Sequence, residues 1–266
     1  MLVVAERINS TNKTVARACV ERNAELIGEI ALQQMLAGAQ VIDVNAGALP
    51  TGEVEALEWL VTTVQAAVDL PVMIDTTDAV ALRAALEVHG GKPIVNSISG
   101  ESNRLKSMLP LLRDREVGVV ALCVDDRGIS REAKGKLDIA TRLVETLLEQ
   151  GVPLEDIYVD PLLQPVSLSS ETVPQTLEVV SEVVARFPGV HAICGLSNVS
   201  FGLPERGLMH MSLIPMLMAA GMDAAILDVL DARLMAVVKT SDSLLGHDPY
   251  CEAYLSAHRM GILSQR

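Results

Sequence analysis

The chain has 266 residues, enough for one large barrel of about 250 residues or for two small domains. Half of it is hydrophobic but only 2% is aromatic, so a core must be built from Ala, Val, Leu, Ile and Met. A net charge of −13 repels phosphate backbones and anionic lipid, and there is little aromatic surface on which bases could stack, which argues against nucleic-acid binding.

Short apolar, β-branched runs recur in chain order, each followed by a stretch with helical spacing. They are LVVAE from Leu2, VIDVNA from Val41, PVMIDT from Pro71 and PIVNSIS from Pro93. VGVVALCVD from Val117, IYVDPL from Ile157, VHAICGLSN from Val190 and MDAAILDV from Met222 complete the set. Runs that are continuously apolar, rather than alternating, are buried on both faces, as in a parallel sheet wrapped by helices. Between them, residues 14–37, 54–67, 101–115 and 172–186 read as helices, the last with Thr172 as its cap before Val173 and Pro174. Gly38, Gly151 and Gly221 fall between a helix and a strand, where a left-handed cap is expected. Eight strand–helix units predict an α/β fold, a single (β/α)8 TIM barrel spanning residues 1–266 as one domain, closed by a C-terminal helix in YCEAYLSAHRM.

The cysteines Cys19, Cys123, Cys194 and Cys251 form no CxxC pair, and a reduced, cytoplasmic setting is expected. The opening MLVVAERIN is unlike a signal peptide, and no apolar run approaches the roughly 18 residues of a membrane span.

Polar residues gather at the strand ends: Glu6, Arg7 and Asn9, then Asp43 and Asn45, Asp75, Asn96 and Ser97, Asp125, Asp160, Ser197 and Asn198, and Asp228. In barrel enzymes that end carries the active site. Asp43, Asn45 or Asp228 could equally cap a helix or tie down a loop. Asp75, Asn96, Asp160 and Asn198 interrupt or end apolar strands, where an unpaired polar group is costly, and are the stronger candidates. The ring holds few cations; Lys92 and Arg127 are the candidates for the rim, with Arg7 engaged by local carboxylates. Without a GxGxxG or Walker loop it suits phosphate poorly. The five histidines form neither HxH nor HExxH, so no metal is expected, a carboxylate-held Mg²⁺ being the one left open. Carboxylates and amides suit a neutral heterocycle rich in N–H groups, because one carboxylate accepts two parallel hydrogen bonds from an amidine-like edge such as that of a pterin.

ERIN from Glu6, IDVNAG from Ile42, EWLV from Glu58, IDTT from Ile74, VNSIS from Val95, YVDPL from Tyr158, GLSNVS from Gly195 and DAAI from Asp223 run in order across nearly the whole chain. With these motifs the chain resembles the methyltetrahydrofolate:corrinoid protein methyltransferases of the pterin-binding barrel superfamily. The resemblance implies methyl transfer between N5 of methyltetrahydrofolate and the cobalt of a separate, transiently bound corrinoid protein. It implies that Asp75, Asn96 and Asp160 bind the pterin, that Gly195 lies under the ring, and that Asn198 acts at N5 as the catalytic residue. Asn9, Asp43, Ser97 and Ile226 are expected as supports, and the resemblance implies a homodimer. Phe201, after GLSNVS, is placed over the pterin, against the corrinoid partner, or as a hydrophobic cap on its loop. Two alternatives stand beside this reading. One is a non-catalytic folate-binding protein. The other is dihydropteroate synthase, whose late Ser-Arg-Lys motif is replaced here by GLSN, with no Lys for a diphosphate.

Overall fold

Apolar runs buried on both faces must pair with each other and be covered by helices, and they do. The computed structural model describes residues 1–264. The strands are β1 (Leu2–Asn9), β2 (Val41–Asn45), β3 (Val72–Asp75), β4 (Ile94–Gly100) and β5 (Gly118–Asp125). A short antiparallel return, β6 (Gly128–Ile129), follows, then β7 (Ile157–Asp160), β8 (His191–Ala192) and β9 (Ala224–Leu227). All eight runs foreseen in the sequence are strands; β6 was not foreseen.

The hydrogen-bonded order is β8-β7-β5-β4-β3-β2-β1-β9, parallel throughout apart from β6. β8 is only two residues long, but its chain continues to serve both neighbours. Ile193 N–H donates to the Val159 carbonyl (3.0 Å), Ile226 N–H donates to the Cys194 carbonyl (2.9 Å), and Gly195 bridges Ile226 in parallel. These bonds close the sheet into a (β/α)8 barrel.

Around it lie α1 (Lys13–Glu21), α2 (Ala24–Leu36), α3 (Glu53–Ala67), α4 (Ala79–Val88), α5 (Ser102–Met108), α6 (Ala133–Glu149), α7 (Thr172–Arg186), α8 (Arg206–Ala219) and α9 (Ala232–Leu244). The C-terminal helix α10 (Glu252–Arg259) packs against α9. Residues 14–37 are not one helix. Arg22 adopts φ 54°, ending α1, and the Asn23 side chain accepts from Leu26 N–H (3.1 Å) to cap α2. Residues 101–115 shorten to α5 because Pro110 turns the chain into a 3₁₀ turn, Leu109–Leu111. Thr172 is the first residue of α7 rather than its cap; its hydroxyl ties down the preceding loop at Gln164. Gly38, Gly151 and Gly221 all take positive φ, as their positions required.

The barrel wall alternates with a period of two. Val4, Val41, Met73, Ile94, Val120, Ile193 and Ala224 form an apolar layer inside the barrel, with Tyr158 packed on it. The opposite face of each strand joins the larger core beneath the helices. That inner layer is the floor on which the site rests.

Candidate active site

Two residues beyond each member of the floor, the same face of each strand points into the barrel one layer higher. Val4 leads to Glu6, Val41 to Asp43, Met73 to Asp75 and Ile94 to Asn96. Val120 leads to Leu122, Tyr158 to Asp160, Ile193 to Gly195 and Ala224 to Ile226. Every member of this second layer lines one cavity of about 700 Å³ at the C-terminal mouth. All nine residues expected at the site line it: Asp75, Asn96, Asp160, Gly195 and Asn198, together with Asn9, Asp43, Ser97 and Ile226. Asn9 reaches it although it is out of phase with Glu6, because the β1–β2 register shifts between Ala5 and Ile8.

Other strand-end residues lie elsewhere. Asp125 is out of phase with Val120 and does not line the cavity; it accepts from Arg127 (2.9 Å) and Arg142 (2.8 Å). Asn45 lies one layer up and accepts from Gly47 N–H (3.0 Å). Asp228 holds Arg7 through two bonds (2.8 and 2.6 Å). Lys92 does not approach the rim: it precedes β4 and pairs with Asp156 ahead of β7, at the opposite end of the barrel. Arg127 stays with Asp125 and lines a separate surface recess.

The floor side of the cavity is acidic. Asp43 is 3% exposed, and its carboxyl is held well above its usual range by burial and by the neighbouring Asp75; Asn96 Nδ2 donates to it at 3.2 Å. Burial also raises Asp75 to about 6, with Asn45 hydrogen-bonded beside it opposing the rise, and raises Asp160 to about 7. Asp160 accepts from Leu162 N–H at 2.7 Å. Burial raises Glu6 as well, against a hydrogen bond from Ser197 Oγ (2.6 Å). Buried carboxyls in this state await donors: a ligand presenting N–H groups replaces the water they have lost.

Asn198 projects from a 3₁₀ turn, Leu196–Ser200, pinned on several sides. Glu6 accepts from the Ser197 hydroxyl, Arg206 donates to the Ser197 carbonyl (2.7 Å) and to Ser200 Oγ (2.9 Å), and His210 Nε2 meets Ser200 Oγ at 2.7 Å. The Asn198 side chain itself is exposed and, among the described residues, has no hydrogen-bond partner. A Cβ on Gly195 would sit 3.2 Å from Asn198 Nδ2, so glycine there leaves room for that amide.

The sequence reading missed two features. Leu122 belongs to the inward layer, which the two-residue step from the apolar floor would have revealed. Arg206 was not anticipated, because its place at the mouth depends on how α8 docks. The mouth therefore carries two guanidiniums, Arg7 and Arg206, although each is already engaged. Phe201 is 69% exposed and does not line the cavity, so it is not buried as a cap on its loop and does not roof that space; contact with a corrinoid partner is the alternative untouched by this placement.

Residues 5–228 match the pterin binding enzyme family, and the chain belongs to it. Over 98% of its length, and 97% of the relative's, it is 33% identical to the methylcorrinoid:tetrahydrofolate methyltransferase of Eubacterium limosum. It is 29% identical over 85% of its length to the methionine synthase of Mycobacterium tuberculosis, of which it spans 20%. The fold is shared with dihydropteroate synthase from Xanthomonas albilineans in complex with 7,8-dihydropteroate (TM-score 0.69, 18% identity, 93% of each chain).

Proposed function

We propose that this chain is a methyltransferase moving a methyl group between N5 of methyltetrahydrofolate and the cobalt of a corrinoid carried by a separate protein. The observation that carries the reading is the pairing, in one open cavity, of buried acceptor carboxyls with an unpartnered amide, Asn198, on a rigid turn. Asp75, Asn96 and Asp160 take the pterin: the carboxylates accept from its 2-amino and ring N–H groups, and the amide serves its carbonyl side. Asn198 addresses N5. Asn9, Asp43, Ser97 and Ile226 support these groups.

The full-length relative's name supports transfer from methylcorrinoid to tetrahydrofolate, as a demethylation system requires. In that direction the N5 lone pair attacks the methyl carbon. The cobalt–carbon pair stays on the metal, which becomes cobalt(I), and N5 releases its proton to solvent. In reverse, cobalt(I) supplies the pair and N5 takes a proton as its bond to carbon breaks. Both directions pass through one transition state, so a single hydrogen bond between the Asn198 amide and N5 serves each of them. One such preorganised bond lowers a barrier by about 3 kcal/mol. The metal is the nucleophile or leaving group, so the chain needs no nucleophile of its own. We take the chain to act as a single domain, as a homodimer, in the cytoplasm; among the described residues no helix is long and apolar enough to cross a membrane.

A non-catalytic folate-binding protein would use the same carboxylates. Titration with 5-methyltetrahydrofolate, followed by addition of a cobalt(I) corrinoid, separates the two. Binding followed by conversion of the cobalt(I) absorbance to that of methylcobalt(III) is expected; binding with an unchanged spectrum would leave only a carrier. Dihydropteroate synthesis is disfavoured because Arg7 and Arg206 are already committed within the protein and no lysine lines the cavity.

A further inference from the structure

Lys136, on α6, is 1% exposed, although a lysine ammonium is rarely buried without a partner. Its Nζ donates to the Leu162 carbonyl at 3.2 Å. Leu162 is held at φ 55°, in the left-handed region that a branched side chain avoids, and its N–H donates to Asp160 Oδ1 at 2.7 Å. Lys136 and Asp160 thus grip the two ends of one residue, the lysine by its carbonyl and the aspartate by its amide. Lys136 does not line the cavity and has no access to a ligand there.

We propose that Lys136 is a positioning residue for pterin recognition: it fixes the turn after β7 that carries the Leu162 amide to Asp160, and it supplies the positive charge near that carboxyl when folate binds. The inference rests on the reading of Asp160 as a pterin ligand. Burial pushes Asp160 up, while the Leu162 amide and, after it, the Lys136 charge pull it back. The other titratable groups facing Asp160 are the thiols of Cys123 on β5 and of Cys194 after β8. Both are raised by burial and stay neutral. Lys136 itself faces Cys123 and Asp160. It is the cation in this set, and removing it leaves the Leu162 amide alone to oppose burial.

The test is the affinity for 5-methyltetrahydrofolate between pH 5.5 and 9 in wild type, Lys136→Met, Lys136→Arg and Asp160→Asn. In the wild type, affinity falls below about pH 7 as Asp160 is protonated. In Lys136→Met the fall moves to higher pH, so binding at pH 6.5 is several-fold weaker and is regained by pH 9. Lys136→Arg keeps the wild-type profile within about twofold, since it keeps the charge. A Lys136→Met profile that overlays the wild type, or a loss equal at every pH, overturns the inference and leaves the Asp160 reading standing. Wild-type affinity in Asp160→Asn overturns that reading and the inference with it. If Lys136→Met does not fold, the ¹³Cε resonance of Lys136 in the wild type is followed instead. It is expected to shift over the same pH range as folate affinity, and an invariant resonance overturns the proposal.

Discussion

Asn198 is held by its backbone and left free at its side chain. Its turn is fixed by Glu6, Arg206 and Ser200, while its amide meets open space above Gly195. A group arranged this way reaches a ligand without reorganising. Gly195→Ala is therefore expected to slow methyl transfer by tenfold or more, by pushing the amide aside, while the unfolding midpoint stays close to wild type; φ at Gly195 is −74°, which alanine adopts freely. Stopped-flow absorbance and a thermal melt check both halves. Asp75→Ala and Asp160→Ala are each expected to weaken folate binding by roughly thirtyfold, about 2 kcal/mol, because a ring donor loses its acceptor. Calorimetry at pH 8 reads that loss, and wild-type affinity in either variant would move the pterin elsewhere. The carboxylates of the layer above the floor were legible because a carboxylate inside an apolar strand is conspicuous. Arg206 was not, because an arginine opening a helix looks like any surface charge until the docking of α8 is known.

At the scale of elements, the barrel depends on a short seam. β8 has two residues, and Asp223 fastens it to its neighbours. The Asp223 carboxylate meets His191 Nδ1 at 2.6 Å and accepts from Ala192 N–H (3.1 Å), and its carbonyl accepts from Leu2 N–H (2.7 Å). Tyr158 stacks on His191, with ring centroids 4.8 Å apart. The hydrogen bond to Asp223 raises the His191 pKa above its ordinary value of 6.5, against burial. A raised histidine favours the folded state fully below the unfolded pKa, and the gain is lost as pH rises through the folded value. His191→Gln should lower the melting temperature more at pH 6 than at pH 8.5, as differential scanning calorimetry reads; an equal loss at both would show that the imidazolium charge contributes nothing. Strand positions were legible throughout, because a buried parallel strand is a bare apolar run. The break between α1 and α2 was not, because Val15, Cys19, Ile27, Ile30 and Met35 keep rough helical spacing across it; Asn23 was the available sign. Membership of the ring was legible in part. Asp125 and Asp160 both end apolar runs, yet only Asp160 keeps step with the apolar layer below.

For the whole molecule, the acidic mouth links ligand binding to stability. Glu6, Asp43, Asp75 and Asp160 all have folded pKa values raised mainly by burial, two of them to about 6 and about 7. Between about pH 4 and pH 7 the folded chain therefore binds more protons than the unfolded one through these groups. Their contribution to stability falls as pH rises through that window and levels off above it. Saturating 5-methyltetrahydrofolate should restore part of the loss at pH 7.5, because its donors meet the ionised carboxylates. The proposed function places the pterin against the carboxylates above this floor, with N5 beneath Asn198. Single-turnover methyl transfer between a methylated corrinoid and tetrahydrofolate, run alongside folate affinity on wild type and Asn198→Ala, tests it most directly. The expected result is transfer in the wild type, and in the variant a rate about a hundredfold lower with folate affinity within a few-fold. No transfer by the wild type, or equal losses of rate and affinity in the variant, would contradict it.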